Sequence, residues 1–476
     1  MNEQHRLAFH AETGIDDWRV LYCGPVAHFA TDSVRAGTAF ATEIAALDAV
    51  TRHPPLIDVR PDGVTVRLHA DLLALDDAAT PADAADRARA VSAVARAHGL
   101  PARPDRLQDV QVAIATQLTV DEVLPFWRAV LGYVDNSGED LVDPHGRGPS
   151  IWFQGLDAAK PLRHVMHLDL AVPREVAAGR RDAAVAAGGR LASDVVAPRF
   201  WTYADAAGNK VDLVAWPDLP LTKADAEGWP GDIMFGRDAT AAPASRSAPI
   251  VVAGAAELEH GETMFEAFRA ASDLEDWPVV FWGPTAWFGT TSLARSAELA
   301  AALAEQHGAD RLQLDLRADG LAVRFARDFT ELVDDDLELA RRFSAIAREL
   351  GAVADPTQVQ TVQVAIASKP DHEVRPFWRE LFGYAEHGAE DLVDLGGRGP
   401  SLWFQELPAE KPLRHAFHID VSLPRAVGRA RVDAALAAGG RIAAQADGGA
   451  GEQDWWTLAD PAGNKVDIAV WADRDG

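Results

Sequence analysis

Val110-Gln-Val-Ala-Ile-Ala115 recurs as Val362-Gln-Val-Ala-Ile-Ala367, an offset of 252 residues, and this repeat organises the whole chain. Working outward, Pro125-Phe-Trp-Arg128 returns as Pro376-Phe-Trp-Arg379, and Gly146-Arg-Gly-Pro-Ser150 as Gly397-Arg-Gly-Pro-Ser401. Lys160-Pro-Leu-Arg-His164 returns as Lys411-Pro-Leu-Arg-His415, and Ala207-Gly-Asn-Lys-Val-Asp212 as Ala462-Gly-Asn-Lys-Val-Asp467. Upstream the echo is weaker but in the same order: Asp58-Val-Arg-Pro-Asp-Gly63 matches Asp315-Leu-Arg-Ala-Asp-Gly320. A self-similarity of this length means a duplicated unit of order A–B–A′–B′.

At 476 residues the chain exceeds what one core supports, so several domains are expected. A hydrophobic share of 48% with 25% charged residues is that of a folded globular protein. The net charge of −27 repels phosphate backbones and anionic membranes, which argues against nucleic-acid or membrane partners. One cysteine, Cys23, rules out an internal disulfide and fits a reducing compartment. The polar opening Met1 to Arg6 has no apolar run behind it, so a cytoplasmic protein is expected.

In the first A unit, Thr31-Asp32-Ser33 caps an amphipathic helix running to about Thr51. Leu56 to Asp71 alternates as two strands around Pro61-Asp62-Gly63. A second helix takes Thr80 as N-cap, Pro81 at its first position and Gly99 past its end. The unit therefore reads as an α+β layer. Each B unit reads twice as strand–helix–strands, with Val110 to Ala115, a helix from Val120 to Leu131 ended by Gly132, and short strands near Asp140 and Ser150. The second module runs from the strand at His167, through a helix ended by Gly188-Gly189, to strands at Trp201 and Lys210.

The A pattern resembles pterin-4a-carbinolamine dehydratase through Phe29-Ala-Thr-Asp-Ser33, Arg52-His53-Pro54 and the strand from Val64 to Asp71. That family carries His-His-Pro at the first motif and a later histidine. Here the first histidine is Arg52 and the later position is Asp71. The resemblance implies an acid/base cluster of His53, His69 and Asp71, since imidazoles titrate near neutrality. In the second copy Asp310 aligns with His53 and Ala326 with His69, so that copy is expected to be inactive.

The B pattern resembles the glyoxalase-like, vicinal-oxygen-chelate fold, with paired βαβββ modules, through His167-Leu-Asp-Leu-Ala-Val-Pro173 and Asp205-Ala-Ala-Gly-Asn-Lys-Val-Asp212. Metal-dependent members take one ligand from each of four strands. Carried over, these are Gln111, Gln154, His167 and Asp212, repeated as Gln363, Gln405, His418 and Asp467. Such a set suits a divalent ion with oxygen affinity better than a structural zinc. Affinity is expected to fall below about pH 6, because a ligating imidazole must be neutral. His164, three residues from His167, faces the other way on a regular strand. Tryptophans 127, 152, 201 and 216 recur as 378, 403, 456 and 471, mostly as core. Arg147 and Arg398 sit in turns, where either an anion or a plain structural role is open.

The expected organisation is α+β throughout. Residues 1–103 form a dehydratase-like layer, 104–218 a glyoxalase-like domain and 219–255 a linker; 256–356 form a degenerate second layer and 357–476 a second glyoxalase-like domain. Each glyoxalase-like domain is expected to fold as its own eight-strand cleft, with Gln111 beside His167 and Gln363 beside His418. The partner is a small molecule, with a divalent metal as the cofactor to test and a homodimer left open by the duplication. Whether the chain is an enzyme stays open, with a lyase or isomerase in the clefts favoured. The alternatives are a carbinolamine dehydratase in the first domain and a non-catalytic sequestering protein.

Overall fold

The computed structural model describes residues 3–68, 80–136, 140–157, 159, 165–215, 255–325, 332–369, 372–387, 390–407, 416–446 and 454–470. The expected linker lies outside these residues except for its last position, Ala255.

In the first A unit, β1 (Arg19–Leu21), β2 (Gly24–Ala30), β3 (Leu56–Arg60) and β4 (Gly63–Arg67) form one sheet edge, backed by helices Glu3–Ala11, Val34–Ala45 and Pro81–Ala97. The sequence signals act where expected. Ser33 accepts from the Ala36 amide, and Thr80 closes a capping box with Asp83 ahead of Pro81. The first helix stops at Ala45 rather than near Thr51, because Leu47 turns to extended backbone and packs against the core before a short turn at Asp48–Thr51. Gly63 opens β4 directly opposite β2, where an added Cβ would meet His28 Nε2 at 2.4 Å, so no larger residue fits.

The first B unit supplies β5 (Asp109–Thr116), β6 (Val134–Asn136), β7 (Asp140–Val142), β8 (Ser150–Gly155), β9 (Met166–Ala171), β10 (Arg190–Ser193), β11 (Phe200–Ala204) and β12 (Lys210–Val214). Its first helix spans Val120–Leu131 and ends on Gly132 at φ 65°, as the sequence predicts. The second A unit supplies β13 (Val279–Val280), β14 (Gly283–Gly289), β15 (Gln313–Leu316), β16 (Gly320–Arg324) and β17 (Val353–Ala354). The second B unit supplies β18 (Thr361–Ser368), β19 (Ala385–His387), β20 (Asp391–Val393), β21 (Ser401–Glu406), β22 (Phe417–Leu423), β23 (Arg441–Ala446), β24 (Asp454–Ala459) and β25 (Lys465–Val470).

The A units do not fold as separate layers. β3 pairs antiparallel with β15, so β1-β2-β4-β3-β15-β16-β14-β13 form one sheet, with β17 beside β14. One hydrophobic cluster runs through both, from Phe9 and Phe40 to Phe288 and Phe343. At the junction Asp58 stands opposite Asp315, a like-charge pairing that opposes the strand contact. Two buried arginines neutralise it reciprocally: Arg60 binds Asp315 at 2.7 Å and Arg317 binds Asp58 at 2.8 Å. Each guanidinium also donates into a B loop, Arg60 Nε to the Gly396 carbonyl at 2.6 Å and Arg317 Nε to the His145 carbonyl at 2.5 Å.

The B units correct the expectation of two self-contained clefts. One sheet runs β10-β11-β12-β9-β18-β21-β20-β19 and the other β23-β24-β25-β22-β5-β8-β7-β6. Each joins the second module of one half to the first module of the other. The seams are β9 against β18, with Gln363 opposite Asp169, and β22 against β5, with Gln111 opposite Asp420. The helices stay with their own half: the Trp127 indole donates to Asp205 at 3.0 Å, and Trp378 to Asp460 at 3.0 Å.

Removing one partner of a buried ion pair strands the other charge. Arg60→Met, which leaves Asp315 without an ion-pair partner among the described residues, is therefore expected to cost about 3–5 kcal/mol. Arg35→Ala, which breaks an exposed pair with Glu305, is expected to cost under about 1 kcal/mol. Denaturant melts of both variants check this; equal losses would refute the role given to the β3–β15 junction.

Candidate functional site

Alternation along a strand puts residues i and i+2 on one face, so His167 and Asp169 leave β9 together. Asp212 on β12 pairs in register with Asp169. The result is a tight cluster: His167 Nε2 lies 3.2 Å from Asp169 Oδ1 and 3.5 Å from Asp212 Oδ2. The duplicate is closely matched, with His418 Nε2 at 3.2 Å from Asp420 Oδ1 and 3.6 Å from Asp467 Oδ2. In each cluster the three ligand-type atoms lie within 4.8 Å of one another.

The glutamines arrive from the opposite half. Gln405 Nε2 sits 3.5 Å from His167 Nδ1, and Gln154 Nε2 sits 3.1 Å from His418 Nδ1. Gln111 and Gln363 come from the seam strands. Gln111 stands opposite Asp420, in the His418 cleft and not beside His167. Gln363 stands opposite Asp169 in the His167 cleft, where its amide donates to Asp391 at 2.9 Å and so is turned toward a neighbour.

Asp169 and Asp420 are absent from the ligand set read from the sequence. The signal was available, since His-Leu-Asp and His-Ile-Asp place the carboxylate on the histidine's own face. What hid them was the one-ligand-per-strand pattern. Both are buried.

Neighbours aim these carboxylates. The Trp152 indole donates to Asp420 Oδ2 and Thr457 donates to Asp467 Oδ1 at 2.6 Å, which leaves the other oxygen of each facing His418. Burial alone would lower the His167 pKa, but the nearby carboxylates of Asp169 and then Asp212 override it and hold the group up to about 10. His418 is raised in the same way by Asp420 and Asp467. Burial raises Asp169, while His167 holds Asp212 down against burial. An imidazolium donates from both nitrogens, so the Gln405 amide would turn its oxygen to Nδ1 while the proton is held.

The A-unit hairpins close one end of each cleft. The Cys23 amide donates to Asp109 at 2.6 Å, and burial together with Asp420 and Asp467 pushes the Tyr22 phenol well above its ordinary value. At the mirror position the Trp282 indole donates to Ser401 at 3.0 Å, and Phe281 packs with Ala171 and Val214. Trp127 and Trp378 are fully buried core, whereas Trp152 and Trp403 share the sheet face of Gln154 and Gln405. Trp216 and Trp471 lie outside the described residues. Arg147 and Arg398 fasten B loops to A units, Arg147 over the Trp287 ring at 5.6 Å and Arg398 to Thr65 at 2.5 Å.

His53 follows the short turn at Asp48–Thr51, and its carbonyl accepts from Arg87 at 3.2 Å. His69 and Asp71 lie outside the described residues, as do His164 and His415. Of the expected acid/base cluster of the first domain, only His53 lies among the described residues. Among the described residues no helix is long and apolar enough to cross a membrane.

With this geometry in place, a comparison with known families adds that a glyoxalase-like domain occurs twice, at residues 111–214 and 363–469. Both A units fall outside the matched residues. Glyoxalase I from Zea mays is similar over 76% of this chain and 93% of that chain, at 8% identity and a TM-score of 0.34. A mutant of the same maize enzyme gives 77%, 94%, 8% and 0.29. Scores this low carry no weight for function. No curated protein sequence matches the chain.

With a folded pKa near 10 against about 6.5 unfolded, the His167 proton contributes stability in full below about pH 6.5, and this is lost as pH rises through about 10. In metal-stripped protein the His167 ring resonance is expected to stay in its charged form at about pH 8, and in Asp169→Asn to titrate lower. A neutral ring at that pH in the unmodified protein would refute the assignment.

Proposed function

We propose that the chain is a small-molecule-binding, metal-assisted lyase or isomerase, with one divalent cation in each hybrid cleft. One observation carries this reading: twice, an imidazole nitrogen and two carboxylate oxygens converge within 4.8 Å on a cleft face. His167 Nε2 and Asp169 Oδ1 are buried and close without an aligned hydrogen bond, as are His418 Nε2 and Asp420 Oδ1. Close ligand-type atoms left without hydrogen-bond partners are ones a cation would satisfy. The donor set, one imidazole with carboxylate and amide oxygens, fits a hard or borderline divalent ion.

His167, Asp169 and Asp212, with Gln405 alongside, would hold one ion; His418, Asp420 and Asp467, with Gln154, the other. Such an ion would polarise a substrate carrying two adjacent oxygens. The protein's own part is to fix the carboxylates through Trp152 and Thr457 and to wall the cleft with the A-unit hairpins. A bound substrate would then sit between the cation and aromatic side chains, away from bulk water.

A second reading, ligand capture without metal, is favoured by the proton that the carboxylates hold on His167, which offsets part of their charge without a cation.

Elemental analysis after incubation with Mg, Mn, Ni or Zn separates the two. We expect two ions per chain, one after His167→Ala, and none after His167→Ala with His418→Ala. Replacing His164 and His415 should remove none. Gln405→Leu should weaken the site at His167 by about 10-fold or more and leave that at His418 intact. Affinity should climb from about pH 6 to 9, a wider window than the free-imidazole value gives, since the His167 proton is held up to about 10. Retention of no metal at any pH would leave the capture reading.

A further inference from the structure

A cavity with about 70 Å³ of free space lies where the second A unit meets both B units. Its walls include Trp282, Gln313 and Arg324 from the A unit, Arg147 and Gly148 from the first B unit, and Ser401 from the second. That is room for several waters or one small polyatomic ion. The site is separate from the histidine clusters, none of whose residues line it.

The duplication provides an internal control. In the first A unit Arg67 stands opposite Leu56 across the hairpin and pairs with Asp58 at 3.0 Å. In the second, Arg324 stands opposite Gln313, which it contacts through Gln313 Oε1. Its remaining contact is the Gly397 carbonyl at 3.5 Å, and no carboxylate among the described residues comes within ion-pair distance. Asp315, the counterpart of Asp58, is taken by Arg60. Burial and then the neighbouring Arg60 accordingly pull Arg324 down to about 10, whereas Asp58 outweighs burial and raises Arg67.

Two further donors in this wall are unsatisfied. Gln313 is 2% exposed, and its Nε2 has no hydrogen-bond partner. Arg147 Nε is likewise buried and unpartnered. The acidic residues around the cavity are already engaged. Asp143 accepts from the backbone amides of His145, Arg147 and Gly148, Asp394 from those of Gly396, Arg398 and Gly399, and Asp315 from Arg60. An under-neutralised guanidinium, a free amide N–H₂ and a free guanidinium N–H thus face one space. The mirror cavity, lined by Cys23 and Arg67, offers about 30 Å³.

We infer that the cavity at Gln313 and Arg324 is a binding site for a small oxyanion group, a carboxylate or a phosphate. An acceptor-only, negatively charged group satisfies all three donors at once and also offsets the guanidinium charge that Asp315 leaves uncompensated. Among the described residues the mirror cavity is smaller and lacks the free amide and the under-neutralised guanidinium, because Leu56 stands at the position of Gln313 and Arg67 is paired with Asp58.

The test is calorimetric titration of the full chain with inorganic phosphate and, separately, with acetate, at constant ionic strength held by chloride. One site per chain is expected for at least one probe, and the stronger probe tells phosphate from carboxylate recognition. Gln313→Glu supplies Arg324 with its own carboxylate, as Asp58 does for Arg67, so thermal stability should hold or rise while anion binding falls by about 10-fold or more. If that variant does not fold, Gln313→Leu, the side chain found at Leu56, decides with the same expected loss. Binding of neither probe by the unmodified chain, or unchanged binding in the folded variant, overturns the proposal.

Discussion

The structure hangs on two reciprocal ion pairs, Arg60–Asp315 and Arg317–Asp58, buried where β3 meets β15. Buried pairs are costly to desolvate, and they persist only where geometry and further hydrogen bonds compensate. Here both arginines use most of their donors: Arg60 also reaches the carbonyls of Val59, Leu314 and Gly396, and Arg317 those of Ile57, Leu316 and His145. The same two side chains join the A units to each other and each A unit to a B loop. They set the relative position of four domains.

That position makes the clefts hybrid. With the halves held side by side, the seam edge of each second module faces the first module of the other half, and β9 and β22 cross over to it. Each candidate site then draws its histidine and carboxylates from one half and its glutamines from the other. A cleft closed within one half needs only its own domain. These need the whole chain, so any event that shifts the A-unit junction acts on both sites at once.

The two halves are nonetheless chemically unequal. His28 stands where Trp287 stands, Cys23 where Trp282 stands, and Leu56 where Gln313 stands. Trp152 donates to Asp420, but its counterpart Trp403 donates to Glu390, so only one cluster has an indole fixing its second carboxylate. The three substitutions sit where A units meet B units, and the two indoles differ in the B clefts themselves. Duplication has preserved the imidazole–carboxylate clusters and varied their walls.

Much of this was legible in the chain. The Thr80 cap ahead of Pro81, the Gly132 stop, the strand alternation and the repeat itself fix local structure, because they act within a few residues. His167, Asp212, Gln154 and their duplicates were also legible as polar groups on strand faces. What the sequence could not decide is which half partners which. β5 and β18 share the segment Val-Gln-Val-Ala-Ile-Ala, so β9 has the same local complementarity to either. The choice between a cleft within one half and a cleft across two belongs to long-range contacts: the buried arginine–aspartate pairs at β3 and β15, which span more than two hundred and fifty residues, and the core shared by both B units.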